Sequence, residues 1–136
     1  MDESREFGEP LPASDLFSEE SFGTRLSRQA GVLWLAMGGE LDVFTASELR
    51  AALREAKPGP TETLVLDLRG LGFIDSSGLA VILGVHEEAS REEANPVKIV
   101  IKGSAAVEAL FELIGAGSYL DLIESADDLD GQAPTS

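Results

Sequence analysis

Short apolar segments alternate with helix-like patterns through the middle of the chain, and this alternation constrains the fold more than any other feature. Residues 64–68 (Leu-Val-Leu-Asp-Leu) are almost continuously apolar, as in a strand that has neighbours on both sides. Residues 32–37 and residues 97–101 form two similar runs. Because helix patterns separate the three runs, we expect three strands of one sheet that are joined by helical crossovers.

Two weaker segments complete the predicted sheet. Residues 22–28 alternate loosely between apolar and polar, and Ala30-Gly31 is a plausible two-residue turn into the next strand. Residues 120–123 form a short closing strand. The predicted order is β-β-α-β-α-β-α-β, an α/β chain of mixed α+β character. The initial hairpin makes its small sheet mixed rather than wholly parallel.

Helix ends are marked by capping residues. Thr45 and Glu48 fit a capping box, in which the Thr45 hydroxyl accepts a hydrogen bond from the Glu48 amide. Pro-Gly-Pro at residues 58–60 stops that helix. Ser104 is placed to cap the third helix. Residues 69–74, which contain two glycines, are expected to form a tight connection into the second helix.

Charge is concentrated at the two ends of the chain. The 136 residues hold 25 Asp and Glu against ten Lys and Arg, a net charge of −15. Residues 1–20 contain seven acids and one base, and residues 124–136 contain four acids and no base. We expect a single domain at residues 21–123, flanked by flexible acidic tails.

The composition excludes several classes of function. A strongly acidic chain is a poor ligand for nucleic acid, because that affinity comes mostly from Lys and Arg neutralising phosphates. The absence of cysteine and the presence of one histidine exclude thiol catalysis, disulfides and Cys- or His-cluster metal sites. No apolar run approaches the roughly 20 residues of a membrane helix, and the N-terminus does not resemble a signal peptide. We therefore expect a cytoplasmic protein with no membrane partner.

The sequence contains no pattern typical of an enzyme. His86 has no Ser or Asp partner at a local spacing, and neither a nucleophile elbow nor a phosphate-binding loop occurs. Asp67 could accept a phosphoryl group, but that chemistry needs paired acids on an earlier strand, for which Glu40 and Asp42 are poor substitutes. We expect no catalytic residue, cofactor or metal.

The junction of the central strand with the second helix carries the most informative residues, Asp75-Ser76-Ser77. One of the three is expected to be the N-cap of the helix, a purely structural role. Alternatively, one serine is a phosphorylation site, since a helix N-terminus favours a phosphoryl group through its dipole and free amides. Phosphorylation would add about −1.5 to −2 charges beside Asp75 without unfolding the helix.

The helix that follows these serines is apolar almost all round. Leu79, Ile82 and Leu83 lie on the stripe that can face the sheet. The remaining apolar positions are either covered by neighbouring elements or form a docking patch. These positions are Ala80, Val81, Gly84 and Val85.

Two motifs together resemble the STAS domain of bacterial anti-sigma factor antagonists. The first is Gly-Glu-Leu-Asp at residues 39–42, followed by Thr45 and a helix, and the second is Phe-Ile-Asp-Ser-Ser-Gly-Leu at residues 73–79. The resemblance covers residues 21–123. It implies a small mixed sheet with helices packed largely on one side, and a switch protein that has no catalytic activity of its own.

The resemblance also implies partners. In this family the unphosphorylated antagonist binds an anti-sigma factor with serine kinase activity and so releases the sigma factor. The kinase then phosphorylates the serine after the motif aspartate, here Ser76, and a PP2C-type serine phosphatase resets the switch. Asp42 corresponds to the family's loop aspartate near the phosphorylation site, and Ser77 to the neighbouring Ser or Thr. The full set of expected partner contacts is Asp42, Asp75, Ser77, Gly78, Ala80, Val81 and Val85.

A second function stays open at the level of the sequence. The chain could be a non-catalytic STAS subunit of a larger complex, such as a lipid-transport or stressosome-like assembly. In that case the motif serine would be structural.

Overall fold

A computed structural model describes residues 22–59, 61–91 and 96–130 of the protein, so the predicted tail at residues 1–20 lies outside the described residues. The elements, in chain order, are β1 (Gly23–Gln29), β2 (Val32–Leu41), α1 (Ala46–Ala56), β3 (Thr63–Ile74), α2 (Ser76–Arg91), β4 (Val97–Val100), α3 (Ala105–Leu113), a 3-10 turn (Ala116–Ser118), β5 (Leu122–Ile123) and α4 (Asp127–Asp130).

The strands form one mixed sheet in the order β1-β2-β3-β4-β5. β1 runs antiparallel to β2, and all the other neighbours are parallel. The hairpin turn has positive φ at both Ala30 (53°) and Gly31 (80°), the geometry that matches the right-handed twist of the two strands. The predicted mixed sheet and α/β class are therefore confirmed.

One face of the sheet, called here the helical face, packs against α1, α2 and α3. Its core contains leucines from β2 and β3, Val97 and Ile99 from β4, and the buried stripe of each helix. On the helices, this stripe consists of Ala46, Leu49, Ala56, Leu79, Val81, Ile82, Val107 and Phe111. The expected arrangement, with the helices largely on one side, is confirmed.

The central strand is longer than the sequence predicts. Residues 69–74 were expected to form a tight connection, but β3 continues to Ile74 and stays paired with β2, Gly38 opposite Gly70 and Leu41 opposite Ile74. The ladder shifts register on the way, which accommodates the glycines. Pairing with the long β2 decides the conformation here, because the interactions with a neighbouring strand outweigh the local preference of glycine for a turn.

Two predictions about the C-terminal half have different outcomes. Ser104 caps α3 as predicted, since its hydroxyl accepts from the Val107 amide at 3.3 Å and lies 2.6 Å from the Leu71 carbonyl, to which it donates. The expected tail at residues 124–136 needs correction for its first part. Residues 124–130 contain α4, and Ala126 is 5% exposed because it packs against the sheet.

The opposite face of the sheet, called here the outer face, has a buried carboxylate at its centre. Asp67 is fully buried on β3 and accepts from the Trp34 indole Nε1 at 2.9 Å. The Arg69 guanidinium donates to both Asp67 oxygens, at 2.9 and 2.7 Å, and lies 6.0 Å from the centre of the Trp34 ring. Asp67 is thus enclosed in mid-strand by side chains that hold it, which does not suit a phosphoryl acceptor.

Replacing Asp67 by alanine should lower the free energy of unfolding by about 3 kcal/mol or more, because the Arg69 charge and the indole donor lose their buried partner. Urea unfolding followed by circular dichroism measures this. As a control, Glu62→Gln removes an ion pair with the exposed Arg28 side chain and should barely move the midpoint. Equal midpoints for the two variants would contradict a stabilising role for Asp67.

Candidate functional site

The carboxyl ends of β2 and β3 bring the two sequence motifs together. Leu41 pairs with Ile74, and the Asp75 amide donates to the Leu41 carbonyl at 3.1 Å. Asp42 follows Leu41 and Ser76 follows Asp75, so both residues leave the sheet from one hydrogen-bonded pair. The parallel pairing therefore makes neighbours of residues that are more than 30 positions apart in the chain.

Gly78 allows helix α2 to start against the end of β2. A Cβ atom at this position would lie 2.4 Å from Leu41 Cγ and 3.0 Å from the Leu41 carbonyl oxygen. The first distance is shorter than real Cβ contacts and the second is at their lower limit, so the close approach favours glycine. Gly78 is buried by this contact. Gly78 therefore has a packing role, and its expected contact with a partner stays a prediction.

The Asp42 loop is held by its own side chains. The Asp42 carboxylate accepts from the Phe44 amide at 2.9 Å and from the Thr45 amide at 3.0 Å. The Thr45 hydroxyl accepts from the Asp42 amide and lies 2.8 Å from the Glu40 carbonyl. Asp42 is thus half-buried and fixes the loop on which it stands.

The predicted capping box at Thr45 and Glu48 is wrong. The Thr45 side chain makes no cap hydrogen bond, and the Glu48 amide donates instead to the Thr45 backbone carbonyl at 2.9 Å. The physical reason is backbone conformation. Thr45 is already helical, with φ −98° and ψ −6°, whereas a capping side chain needs an extended N-cap.

Asp75 is the N-cap of α2. Its carboxylate accepts from the Ser77 amide at 2.9 Å and from the Gly78 amide at 3.1 Å. Of the three candidates left open by the sequence, the aspartate therefore takes the structural role. Ser76 is the first residue of the helix and is exposed, while Ser77 is half-buried. The Ser76 hydroxyl is thus accessible beside a negatively charged cap.

The predicted docking residues on α2 line a groove against α1. The groove has a volume of about 320 Å³. Its lining residues are Arg50, Leu53, Arg54, Ala80, Val81, Gly84, Val85 and Glu88. Ala80 is exposed and Val85 half-buried, as a docking surface needs, but Val81 is 7% exposed and belongs mainly to the core. The expected partner contact of Val81 stays a prediction.

The sequence analysis missed the most exposed apolar side chains at this end of the sheet. Phe44 is 83% exposed and Val43 61% exposed, both in the Asp42 loop, and Phe73 near the end of β3 is 44% exposed. A signal was present, because Val43-Phe44 is an apolar pair in a turn between Asp42 and a helix start. Such a pair has no core to face. We call these three residues the apolar rim. Two of them lie in the Asp42 loop, and Phe73 lies just before the Asp75 cap of α2.

His86, the one histidine of the sequence, is half-buried on α2. Across residues 22–59, 61–91 and 96–130, no group of three His, Cys, Asp or Glu is arranged to hold a metal ion. Within the same ranges, no helix is long and apolar enough to cross a membrane.

Comparison with known proteins agrees with this geometry. A family model described as "Mlab, STAS domain" matches residues 22–124. The chain belongs to the STAS domain family. The match begins at the first described residue and ends just after β5, so it contains the whole sheet, both loops of the site and α2.

Two of three similar proteins are described as anti-sigma factor antagonists. The anti-sigma-B factor antagonist of Staphylococcus aureus is 28% identical over 67% of this chain and 82% of its own length. The crystal structure of an anti-sigma factor antagonist from Mycobacterium paratuberculosis is similar at a TM-score of 0.72 and 26% identity, covering 83% of this chain and 94% of that one. The Bacillus cell fate determinant SpoIIAA in its phosphorylated form shares the fold, with a TM-score of 0.58, 20% identity, and coverage of 82% and 100%.

Gly78→Ala should lower the free energy of unfolding by about 1–3 kcal/mol, because the added methyl group overlaps Leu41 and forces α2 away from β2. The matched control is Gly84→Ala on the same helix, where a Cβ meets nothing within 4 Å. The control should stabilise the protein by up to about 1 kcal/mol. Thermal unfolding measures both, and a stable Gly78→Ala variant would contradict the close approach.

Proposed function

We propose that this protein is an anti-sigma factor antagonist whose binding to its partner is switched off by phosphorylation of Ser76. The observation that carries the proposal is the exposed Ser76 hydroxyl, directly after a helix cap that Asp75 provides by itself. The descriptions of the relatives as anti-sigma factor antagonists support it. The partner is then an anti-sigma factor with serine kinase activity, and a PP2C-type serine phosphatase resets the switch.

The local geometry explains why a kinase could reach Ser76 without unfolding the domain. Ser76 occupies the first helical position, where the side chain points away from the core that Gly78 and Leu79 enter. Its hydroxyl has no capping duty, since Asp75 accepts from the next two amides. Modification therefore leaves the helix start and its contact with Leu41 in place.

Electrostatics explain how the modification would act. A phosphoryl group adds about −1.5 to −2 charges at pH 7. Here that charge would lie next to the Asp75 carboxylate and close to the Asp42 loop, since both loops leave the sheet from the Leu41–Asp75 hydrogen bond. The helix N-terminus tolerates an anion, but the cap amides of Ser77 and Gly78 are already occupied. The cost falls on a partner that must bury the charge.

The docking surface proposed here combines two parts of the site. The apolar rim (Val43, Phe44 and Phe73) offers large side chains that the fold leaves in solvent. The α1–α2 groove adds Ala80 and Val85 beside the cations Arg50 and Arg54. Apolar anchors flanked by charge are typical of residues that dominate protein interfaces.

Phosphorylation should occur at Ser76 and not at its neighbour. Intact mass after incubation with a candidate anti-sigma kinase and ATP should rise by one phosphoryl group for the wild-type chain. Ser76→Ala should abolish this gain, whereas the adjacent control Ser77→Ala should keep it. A phosphorylated Ser76→Ala variant would show that the assignment is wrong.

Ser76→Asp should weaken binding of the anti-sigma factor in titration calorimetry by about a hundredfold or more, equivalent to about 3 kcal/mol. The circular dichroism spectrum should stay unchanged, and NMR shift changes should be confined to residues 39–45 and 73–85. Shift changes that spread to α3 and β4 would indicate a conformational switch instead. Undiminished binding would favour the alternative function, a STAS subunit of a larger complex with a structural serine.

Phe44→Ala should weaken binding of the same partner by tenfold or more, about 1.4 kcal/mol, because an exposed aromatic anchor is removed. The matched control is Leu113→Ala. Leu113 is equally exposed, at 82%, but stands at the end of α3, about 13 Å along the helix from the Ser104 cap that bonds to β3. The control should bind normally, and equal losses for both variants would argue against a localised rim.

A further inference from the structure

The α1–α2 groove carries two arginines that the described part of the chain leaves unpaired. Arg50 and Arg54 line the groove from α1, stand four residues apart, and are both exposed. Within residues 22–59, 61–91 and 96–130, neither guanidinium forms an ion pair or a hydrogen bond. Elsewhere in these ranges cations bond to carboxylates, among them Arg28, Arg69, Lys98 and Lys102. The positive charge at the groove is therefore available to a partner.

The rest of the lining is largely apolar and leaves space above α2. Leu53 and Val85 are half-buried, whereas Ala80 and Gly84 are exposed. A Cβ atom added at Gly84 would meet nothing within 4 Å. The volume of about 320 Å³ lies at the lower end of the range of about 300–1,000 Å³ for ligand sites. The groove therefore suits a few side chains of a partner segment.

Acids lie at the two ends of α2. Glu88, the acid of the lining, stands about 18 Å along α2 from Ser76 and, in the described part of the chain, pairs with neither arginine. At the other end, the Asp75 carboxylate caps the helix. The lining carries two cations and one anion, so its net charge is opposite in sign to the −15 of the chain. The acids of α1 and α2 that do not line the groove are Glu48, Glu55 and Glu87.

We propose that the α1–α2 groove binds an acidic helical segment of the partner, whose apolar side chains cover Leu53 and Val85 while its carboxylates bind Arg50 and Arg54. The inference rests on the proposed function for the identity of that partner, an anti-sigma factor. The Cα atoms of the two arginines are about 6 Å apart along α1. Two carboxylates four residues apart on a partner helix have the same spacing, and each can accept paired N–H donors from one guanidinium.

The position of Ser76 explains which partner groups its phosphorylation would repel. Ser76 and Ala80 are four residues apart, so they lie on one face of α2, about 6 Å from each other along the helix. A phosphoryl group on Ser76 would extend the negative region of Asp75 towards the groove. It would repel carboxylates that approach Arg50 and would attract that guanidinium itself. An acidic occupant is then weakened, whereas a basic occupant would be favoured.

Two peptides test the sign of this preference on the full chain without the natural partner. One is an amphipathic helix of leucine and glutamate, and in the other every glutamate is replaced by lysine. In NMR titrations, the glutamate peptide should shift the methyl signals of Leu53 and Val85 and bind at least tenfold more tightly than the lysine peptide. Ser76→Asp should weaken the first peptide and strengthen the second. Equal binding of the two peptides, or no shift at the groove, would overturn the proposal.

Variants of the groove test the same surface with the anti-sigma factor. Arg50→Glu should weaken its binding in titration calorimetry by about tenfold, about 1.4 kcal/mol. The matched control is Lys57→Glu, which makes the same change of charge at an exposed residue outside the lining. Gly84→Leu should weaken binding as strongly by filling the groove, with Ser90→Leu on the exposed end of α2 as its control. Circular dichroism checks that each variant is folded.

The two sets of measurements separate this inference from the proposed function. If Ser76→Asp abolishes binding of the anti-sigma factor while Arg50→Glu and Gly84→Leu bind as their controls do, the switch stands and the groove inference is wrong. If the glutamate peptide occupies the groove while the anti-sigma factor does not bind the wild-type chain, the acidic preference stands and the identity of the partner is wrong.

Discussion

The parallel pairing of β2 with β3 is the constraint on which the rest of the structure depends. It extends along β3 from Thr63 to Ile74, past the point where local sequence favours a turn, and it ends with the hydrogen bond from Asp75 to Leu41. The glycine at position 78 then lets α2 start in contact with Leu41. A shift of this register by one residue would move the Asp42 loop away from Ser76. It would also turn the core leucines from the helical face to the opposite face of the sheet.

The candidate site is built from side chains that also hold its local structure. Asp42 and Asp75 use their carboxylates to hold backbone amides, so the loop and the helix start are rigid before any partner arrives. In the proposed switch, Ser76 gains charge while the structure below it stays the same. Because the apolar rim is already exposed, a partner meets a preformed surface, and one added charge can decide whether that surface is buried.

The two faces of the sheet are built from different kinds of side chain. The helical face packs three amphipathic helices over leucine-rich strands, and α1 and α2 also present the groove beside Ser76. The outer face instead holds the Trp34–Asp67–Arg69 cluster, whose ion pair and indole bond are satisfied within the sheet. Removing one member of this cluster is costly, because the remaining charge or donor then has no buried partner.

The order of elements, the mixed sheet and the position of Ser76 at a helix start could all be predicted from the sequence, because apolar periodicity and capping residues are local signals. The motif residues 39–42 and 73–79 also pointed to one site. Three features required the tertiary structure: the extension of β3 to Ile74, the burial of Gly78 and Val81, and the exposure of Phe44 and Phe73. In each case the deciding partner is distant in sequence or absent. Gly78 is set by Leu41 and β3 by β2, and no local pattern contains that information. For Phe44 the apolar pair Val43-Phe44 is a local signal, but only the tertiary structure shows that no core covers it.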